Sequence, residues 1–100
     1  MLFVFHILDN PGTTEQRLAL RPRQYEHLGA VEERMVTGGP LLAADGETMI
    51  GSLLVIDFED QAAAQAWLDA APFTTGGVFG RATIHPYRHN WPRTAGVGPR

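Results

Sequence analysis

The pattern of apolar and polar positions begins with a strand. Residues 2–8 are rich in aromatic and β-branched side chains, which predicts an extended segment. Four turn-forming residues, Asp9-Asn10-Pro11-Gly12, end it. Side chains of a strand point alternately to the two faces of a sheet, so this strand presents two sets. The set expected to face the helices is Phe3, Phe5 and Ile7, and the opposite set is Val4, His6 and Leu8.

Two helical segments are predicted next. The first extends to about Leu20, with Thr13 or Thr14 as its N-cap. Pro22 interrupts the pattern, and because proline suits the first turn of a helix, a longer helix is expected from Pro22 to Met35. The stripe of this longer helix that is expected to be buried consists of Gln24, Leu28, Val31 and Met35.

Residues 36–73 carry the strongest local signals. The pair Asp45-Gly46 predicts a hairpin turn, because glycine tolerates positive φ and aspartate accepts local backbone hydrogen bonds. Residues 50–58 are apolar and β-branched, as expected for a central strand. Asp60 is placed to cap the helix that follows it.

The remaining elements complete the order βαββαβ. Residues 72–79 are expected to form a short helical turn and residues 81–89 the last strand. Two right-handed βαβ crossovers around a central hairpin predict an α+β, ferredoxin-like fold, with an antiparallel four-stranded sheet and the helices on one face. Residues 1–90 form this single domain in our interpretation, and residues 91–100 form a flexible or partner-contacting tail.

The sheet face without helices is predicted to carry apolar residues, among them Val4 and Leu8. Leaving such a face in water costs roughly 25 cal/mol per Å² of apolar area. A homodimer in which sheet packs against sheet would bury it, and the gap between sheets and helices would form a pocket. The sequence therefore predicts a homodimer that buries this sheet face.

The composition limits which partners and which reactive groups this chain can have. The net charge of −3 gives no electrostatic case for nucleic acid, and no apolar run is long enough to span a membrane, so a cytoplasmic protein is expected. The chain has no cysteine, which excludes disulfides, thiol nucleophiles and cysteine-bound metals. All eight basic residues are arginine, so a lysine Schiff base is impossible.

Six segments together resemble the YciI-like family of small dimeric α+β barrel proteins, which is related to the muconolactone isomerases. The segments are MLFVFHILDNPG, RLALRP, GGPLLAADG, GSLLVIDFED, AAQAWLDAAPF and IHPYRH, and the resemblance spans about residues 1–89. It implies activities such as dehydrochlorination of chlorinated hydroxyquinols or conversion of other small cyclic substrates. Members typically carry a His two residues after the Arg-Pro pair and an Asp before the Pro-aromatic corner, a candidate catalytic dyad. This chain has Gln24 and Ala71 there, and neither can act as a general base.

Three residues are therefore predicted to handle protons in place of that dyad. His6 lies mid-strand and is a candidate general base or phenol-binding donor, since imidazole titrates near neutral pH; the alternative is a buried, hydrogen-bonded His. In a ferredoxin-like sheet the last strand pairs with the first, so His85 would approach His6, with Tyr87 nearby. For His85, a half-exposed strand residue without a catalytic role is an equally favoured interpretation.

Four residues are predicted to contact the substrate. Gln24 would orient it, and Arg21 would hold a carboxylate or phenolate, although a surface ion pair with a nearby Glu is favoured for this arginine. His27 would substitute for the missing family His, although the favoured interpretation is that His27 is a solvated residue on the helix surface. Ser52 would hydrogen-bond the ligand, without the sequence context of a nucleophile.

No metal and no cofactor are expected. His85 and His89 are four residues apart on a predicted strand, which separates them by roughly 13 Å, too far to share an ion. Two functions follow from these observations. One is a cofactor-independent lyase, isomerase or dehydrohalogenase acting on a small cyclic, aromatic or unsaturated-carbonyl metabolite by His-based proton transfer. The other is a non-catalytic ligand-binding or accessory dimer that has lost the family His/Asp pair.

Overall fold

A computed structural model describes residues 1–92 and has the predicted element order. Most of the predicted tail, residues 93–100, lies outside the described residues. The strands pair antiparallel in the order β2-β3-β1-β4, which confirms the ferredoxin-like α+β prediction. The strands are β1 (Leu2–Asp9), β2 (Met35–Leu42), β3 (Met49–Asp57) and β4 (Phe79–Tyr87); the helices are α1 (Thr14–Gly29), α2 (Gln61–Asp69) and α3 (Pro72–Thr75), with a 3₁₀ turn at Glu32–Arg34.

The alternation predicted for β1 is confirmed. Phe3, Phe5 and Ile7 are completely or almost completely buried, whereas His6 and Leu8 are exposed. The buried set forms one core cluster with residues of β3, of α2 and of the turn after α1, and Leu28 of α1 packs against this cluster. The members contributed by the helices and by the turn after α1 are Val31, Ala64 and Leu68.

The predicted helix break at Pro22 is wrong. One helix, α1, runs from Thr14 to Gly29 with Pro22 inside it, and Met35 begins β2 instead of ending a helix. An internal proline removes one hydrogen bond and strains the preceding turn. Burial of Arg17 and Gln24 on either side of it holds the helix together, so tertiary contacts override the local preference. As a result, side chains before and after Pro22 share one helix face.

Both local turn signals are confirmed. Gly46 has φ of +72°, and the Asp45 carboxylate accepts hydrogen bonds from the backbone N–H of Glu47 and from the N–H and hydroxyl of Thr48. These bonds, that of the Thr48 hydroxyl above all, lower the pKa of Asp45 to about 2. Asp60 caps α2 by accepting a hydrogen bond of 2.8 Å from the N–H of Ala63.

The outer strands of the sheet are β2 and β4, and each contains a proline. Pro40 pairs with Ser52 of β3, and Pro86 pairs with Phe3 of β1. The tight β2–β3 hairpin and the first helix both approach the same end of β3. A cavity forms there, between α1 and the hairpin.

Candidate functional site

A cavity of about 490 Å³ lies between α1 and the β2–β3 hairpin. One wall is a single face of α1, because Arg17, Arg21, Gln24 and Leu28 are spaced four, three and four residues apart. The sheet wall and the α3 corner supply most of the other lining residues, and the exposed residues Tyr25, Gly29 and Glu32 complete the lining. The sheet and corner residues are Met35, Gly38, Gly39, Pro40, Met49, Ser52, Leu54 and Phe73.

Arg17 lies at the buried end of this cavity and is 6% exposed. Its Nη1 donates to both oxygens of Asp9 at 3.0 and 3.3 Å. Its Nη2 donates to the carbonyl oxygen of Gly51 at 3.3 Å and to the Ser52 hydroxyl oxygen at 3.2 Å. The guanidinium carbon also lies 4.9 Å from the centre of the Phe73 ring. Arg17 therefore connects β1, β3 and the α3 corner.

Asp9 is the partner that balances this charge. Its side chain is 8% exposed and binds the guanidinium through Nη1. Asp9 does not line this cavity; together with Arg17 it lines a second one beside the turn after β1. Burial raises the pKa of the Asp9 carboxyl above its ordinary value of 3.8, while the charge and hydrogen bonds of Arg17 act in the opposite direction. Sequence analysis missed both residues. The available signal was the spacing of Arg17, which precedes Gln24 by seven residues, or about two helical turns, and so lies on the same helix face.

Gln24 is 2% exposed, and its Oε1 accepts a hydrogen bond of 3.0 Å from the backbone N–H of Phe73. Ala71, at the other dyad position of the resembled family, is fully buried two residues before Phe73. The fold thus brings positions 24 and 71 into one neighbourhood. In this chain, however, neither side chain can take up a proton.

The predicted site residues fall into two groups. Gln24, Arg21 and Ser52 all line the cavity. His27 does not: its Nε2 lies 2.8 Å from the carbonyl oxygen of Trp67, and its ring stacks on the Trp67 indole at 4.6 Å. His27 therefore joins α1 to α2.

His6, His85 and Tyr87 lie on the sheet face opposite the helices and the cavity. The register pairs His6 with Thr83 and Val4 with His85, so the two histidines are diagonal neighbours on one face, as the alternation predicts. That face is not the one that borders the cavity, because Phe3, Phe5 and Ile7 point to the helix side. The structure therefore separates the predicted proton-transfer group from the predicted binding group by the thickness of the sheet.

Two further observations concern residues 1–92. Within this range no three residues of the His, Cys, Asp and Glu types are grouped so that they could hold a metal ion. No helix in the described part of the chain has the length and apolar character needed to cross a membrane.

A four-stranded ferredoxin-like domain with a partly polar cavity beside its first helix defines an α+β protein with a small-molecule-sized site. The chain belongs to the YCII-related domain family, whose model matches residues 1–88. It is 34% identical over 95 residues to the protein YciI of Escherichia coli O6:H1 and to that of Shigella flexneri, covering 88% of this chain and 97% of each relative. An uncharacterized Haemophilus influenzae protein is 32% identical over the same length.

A solved structure with the same fold carries a ligand. It is the 5-chloro-2-hydroxyhydroquinone dehydrochlorinase TftG from Burkholderia phenoliruptrix AC1100, in complex with 2,5-dihydroxybenzoquinone. The TM-score is 0.83 and the sequences are 27% identical, with 89% of this chain and 95% of TftG covered. Family and fold, as predicted from the sequence, are thereby confirmed.

Proposed function

We propose that this protein is a small enzyme that binds a cyclic, aromatic or unsaturated-carbonyl metabolite in the cavity beside α1 and converts it without a cofactor. The observation that carries the proposal is the cavity itself. At about 490 Å³ it is large enough for a single substituted ring, with polar side chains at its buried end. The complex of TftG with a dihydroxylated quinone supports a ligand of this class.

The walls of the cavity suit a flat ring with oxygen substituents. Leu28, Met35 and Leu54 supply apolar contacts, while Arg17 and Arg21 supply positive charge. Gln24 and Ala71 cannot take up a proton, so a base has to come from elsewhere. Glu32 lines the exposed side of the cavity and is the only carboxylate among the described lining residues. We propose Glu32 as the group that moves the proton, in a lyase, isomerase or dehydrohalogenase reaction.

A second candidate mechanism uses His6, His85 and Tyr87. It is favoured by one observation, the diagonal placement of the two histidines on the same sheet face. In the cytoplasmic homodimer that we propose, this face packs against the partner's sheet. The histidines would then act on a ligand held between the sheets and not in the cavity beside α1.

The two mechanisms make opposite predictions for two variants. With 5-chloro-2-hydroxyhydroquinone as substrate, we expect Glu32→Gln to lower kcat about a hundredfold, the size expected for loss of a general base, and His6→Ala to leave kcat unchanged. Glu33→Gln, a neighbouring exposed carboxylate outside the cavity, is the matched control. The reverse pattern would assign the chemistry to the histidine face.

Binding without turnover is also an informative outcome. If the wild-type chain binds 2,5-dihydroxybenzoquinone but converts none of the ring substrates, the protein is a non-catalytic ligand-binding dimer. If calorimetry detects no binding of this quinone at millimolar concentration, the proposal for the cavity is refuted.

The homodimer makes its own prediction. Sedimentation at micromolar concentration should give about twice the chain mass of 11.0 kDa, and Val4→Asp should shift it towards the monomer, because it places a charge on the face proposed to be buried. Ala19→Asp, at an exposed position of α1, should leave the mass unchanged. A wild-type monomer in this experiment would contradict the dimer.

A further inference from the structure

We infer that Ser52, Gln24 and Arg17 form an oxyanion subsite at the buried end of the cavity, where hydrogen-bond donors face the ligand and the nearby acceptors are already occupied. The inference rests on the proposed ring-binding function and names its substrate class. Ligands of this site carry negative charge, or a strongly polarised carbonyl, on a ring oxygen: phenolates, enolates and quinones.

Gln24 supplies the first donor. The hydrogen bond that its Oε1 accepts from Phe73 fixes which end of the carboxamide is oxygen. The amino end then projects from the other side of the group, and it makes no hydrogen bond to the described residues. Among these residues Trp67 Nε1 is the one enclosed polar side-chain atom without a partner, so the Gln24 amino group is accessible, and because Gln24 lines the cavity, a ligand there can accept its hydrogen bond.

Ser52 supplies the second donor and is 7% exposed. Its oxygen accepts from Nη2 of Arg17, which leaves the hydroxyl proton to be donated. Within residues 1–92 this hydroxyl donates to no acceptor. Arg17 therefore orients the hydroxyl and at the same time polarises it.

The positive charge of Arg17 adds to the attraction of these two donors for an anionic oxygen. The Asp9 carboxylate that balances Arg17 is bound through Nη1 and does not line the cavity, whereas Arg17 and Ser52 do. The member of this ion pair that lines the cavity is thus the cationic one. The acceptors close to it, the Gly51 carbonyl and the Gln24 Oε1, are occupied by Arg17 and by the Phe73 N–H. Preorganised donors of this kind stabilise charge that develops on an oxygen.

Gln24→Glu provides the sharpest test. It keeps an oxygen for the Phe73 N–H but replaces the amino group by a second, negatively charged oxygen. Calorimetric titration with 2,5-dihydroxybenzoquinone should show affinity weakened at least about tenfold, since hydrogen bonds to charged groups have this size of effect. Ser52→Ala should weaken binding in the same direction. Gln16→Glu makes the same charge change at an exposed position of α1 and should bind as the wild type does.

The outcomes separate the subsite from the proposed function. If the wild type binds the quinone and both variants at positions 24 and 52 bind it equally well, the ring lies elsewhere and the subsite is refuted. If the wild type does not bind the quinone, the proposed ring-binding function fails, and acetate, an anion without a ring, becomes the probe of the subsite. In an ¹⁵N-labelled sample, acetate should then shift the Gln24 side-chain amide signal in the wild type, and a higher acetate concentration should be needed for the same shift in Ser52→Ala. An unchanged signal in the wild type would overturn the inference.

Discussion

Asp9→Ala is expected to lower the free energy of unfolding by about 3–5 kcal/mol, because it leaves the buried Arg17 guanidinium without a counter-charge. The two atoms that Nη2 contacts, the Gly51 carbonyl oxygen and the Ser52 hydroxyl oxygen, are neutral and cannot replace the carboxylate. Urea unfolding at a fixed protein concentration measures the loss. The same variant should also weaken ligand binding, since Arg17 is then free to move away from Ser52.

Asp57→Ala is the matched control. Asp57 binds the N-terminal ammonium at 2.7 Å, a shorter contact than that between Asp9 and Arg17, but the partners are 54% and 62% exposed. Exposed pairs contribute only about 0–1 kcal/mol, so this variant should be nearly neutral. The double variant Asp9→Leu/Arg17→Met should recover much of the stability, because it removes both charges together. Equal effects of the two single alanine variants would contradict the importance of burial.

Gly51→Ala is expected to destabilise the fold by about 3 kcal/mol, at the upper end of what overfilling a packed interior costs. A Cβ at position 51 would overlap the carbonyl oxygen of Ile7 and lie 3.2 Å from the Cα of Leu8. Both contacts are with the backbone of β1, which no side-chain rotation can relieve. Strands β1 and β3 would have to separate, and the Gly51 carbonyl would move away from Arg17. Thermal unfolding measures the effect.

Gly39→Ala tests whether overlap of the new Cβ with the β1 backbone is what destabilises Gly51→Ala. Gly39 lies on the neighbouring strand β2, is exposed, and has no atom within 4 Å of the Cβ that alanine would add. A surface change of this kind should alter stability by less than about 0.5 kcal/mol. If Gly51→Ala and Gly39→Ala lose stability equally, replacing any glycine of this hairpin by alanine is destabilising, and the overlap with the Ile7 carbonyl oxygen is not the cause.

Local signals predicted most of the fold. The alternation in β1, the Asp45-Gly46 turn and the Asp60 cap each depend on neighbouring residues alone, and all three are present. The exception is Pro22, where the local rule predicted two helices. Its outcome depends on burial of side chains seven residues apart against a distant strand and corner, which no local pattern encodes.

The candidate site was predicted only in part for the same reason. Gln24 was predicted because it occupies the position of the family His after the Arg-Pro pair, but Arg17 resembles an ordinary exposed residue of a polar helix. Its burial depends on Asp9 and on Ser52, which is 35 residues away along the chain. The alternation correctly placed His6 and His85 together, but it does not determine which sheet face borders a cavity. That depends on how α1 packs.

The prolines in the two outer strands limit how this protein can associate. An exposed strand edge is a template for further strands, and pairing edge to edge leads to open-ended, fibre-like growth. Proline has no N–H to donate, so Pro40 and Pro86 each interrupt the row of donors that an added strand would need. Among residues 1–92 the sheet has four strands, and both of its edges carry this interruption. The homodimer proposed above would therefore use the broad surface of the sheet, a contact between two copies that leaves no template for further addition.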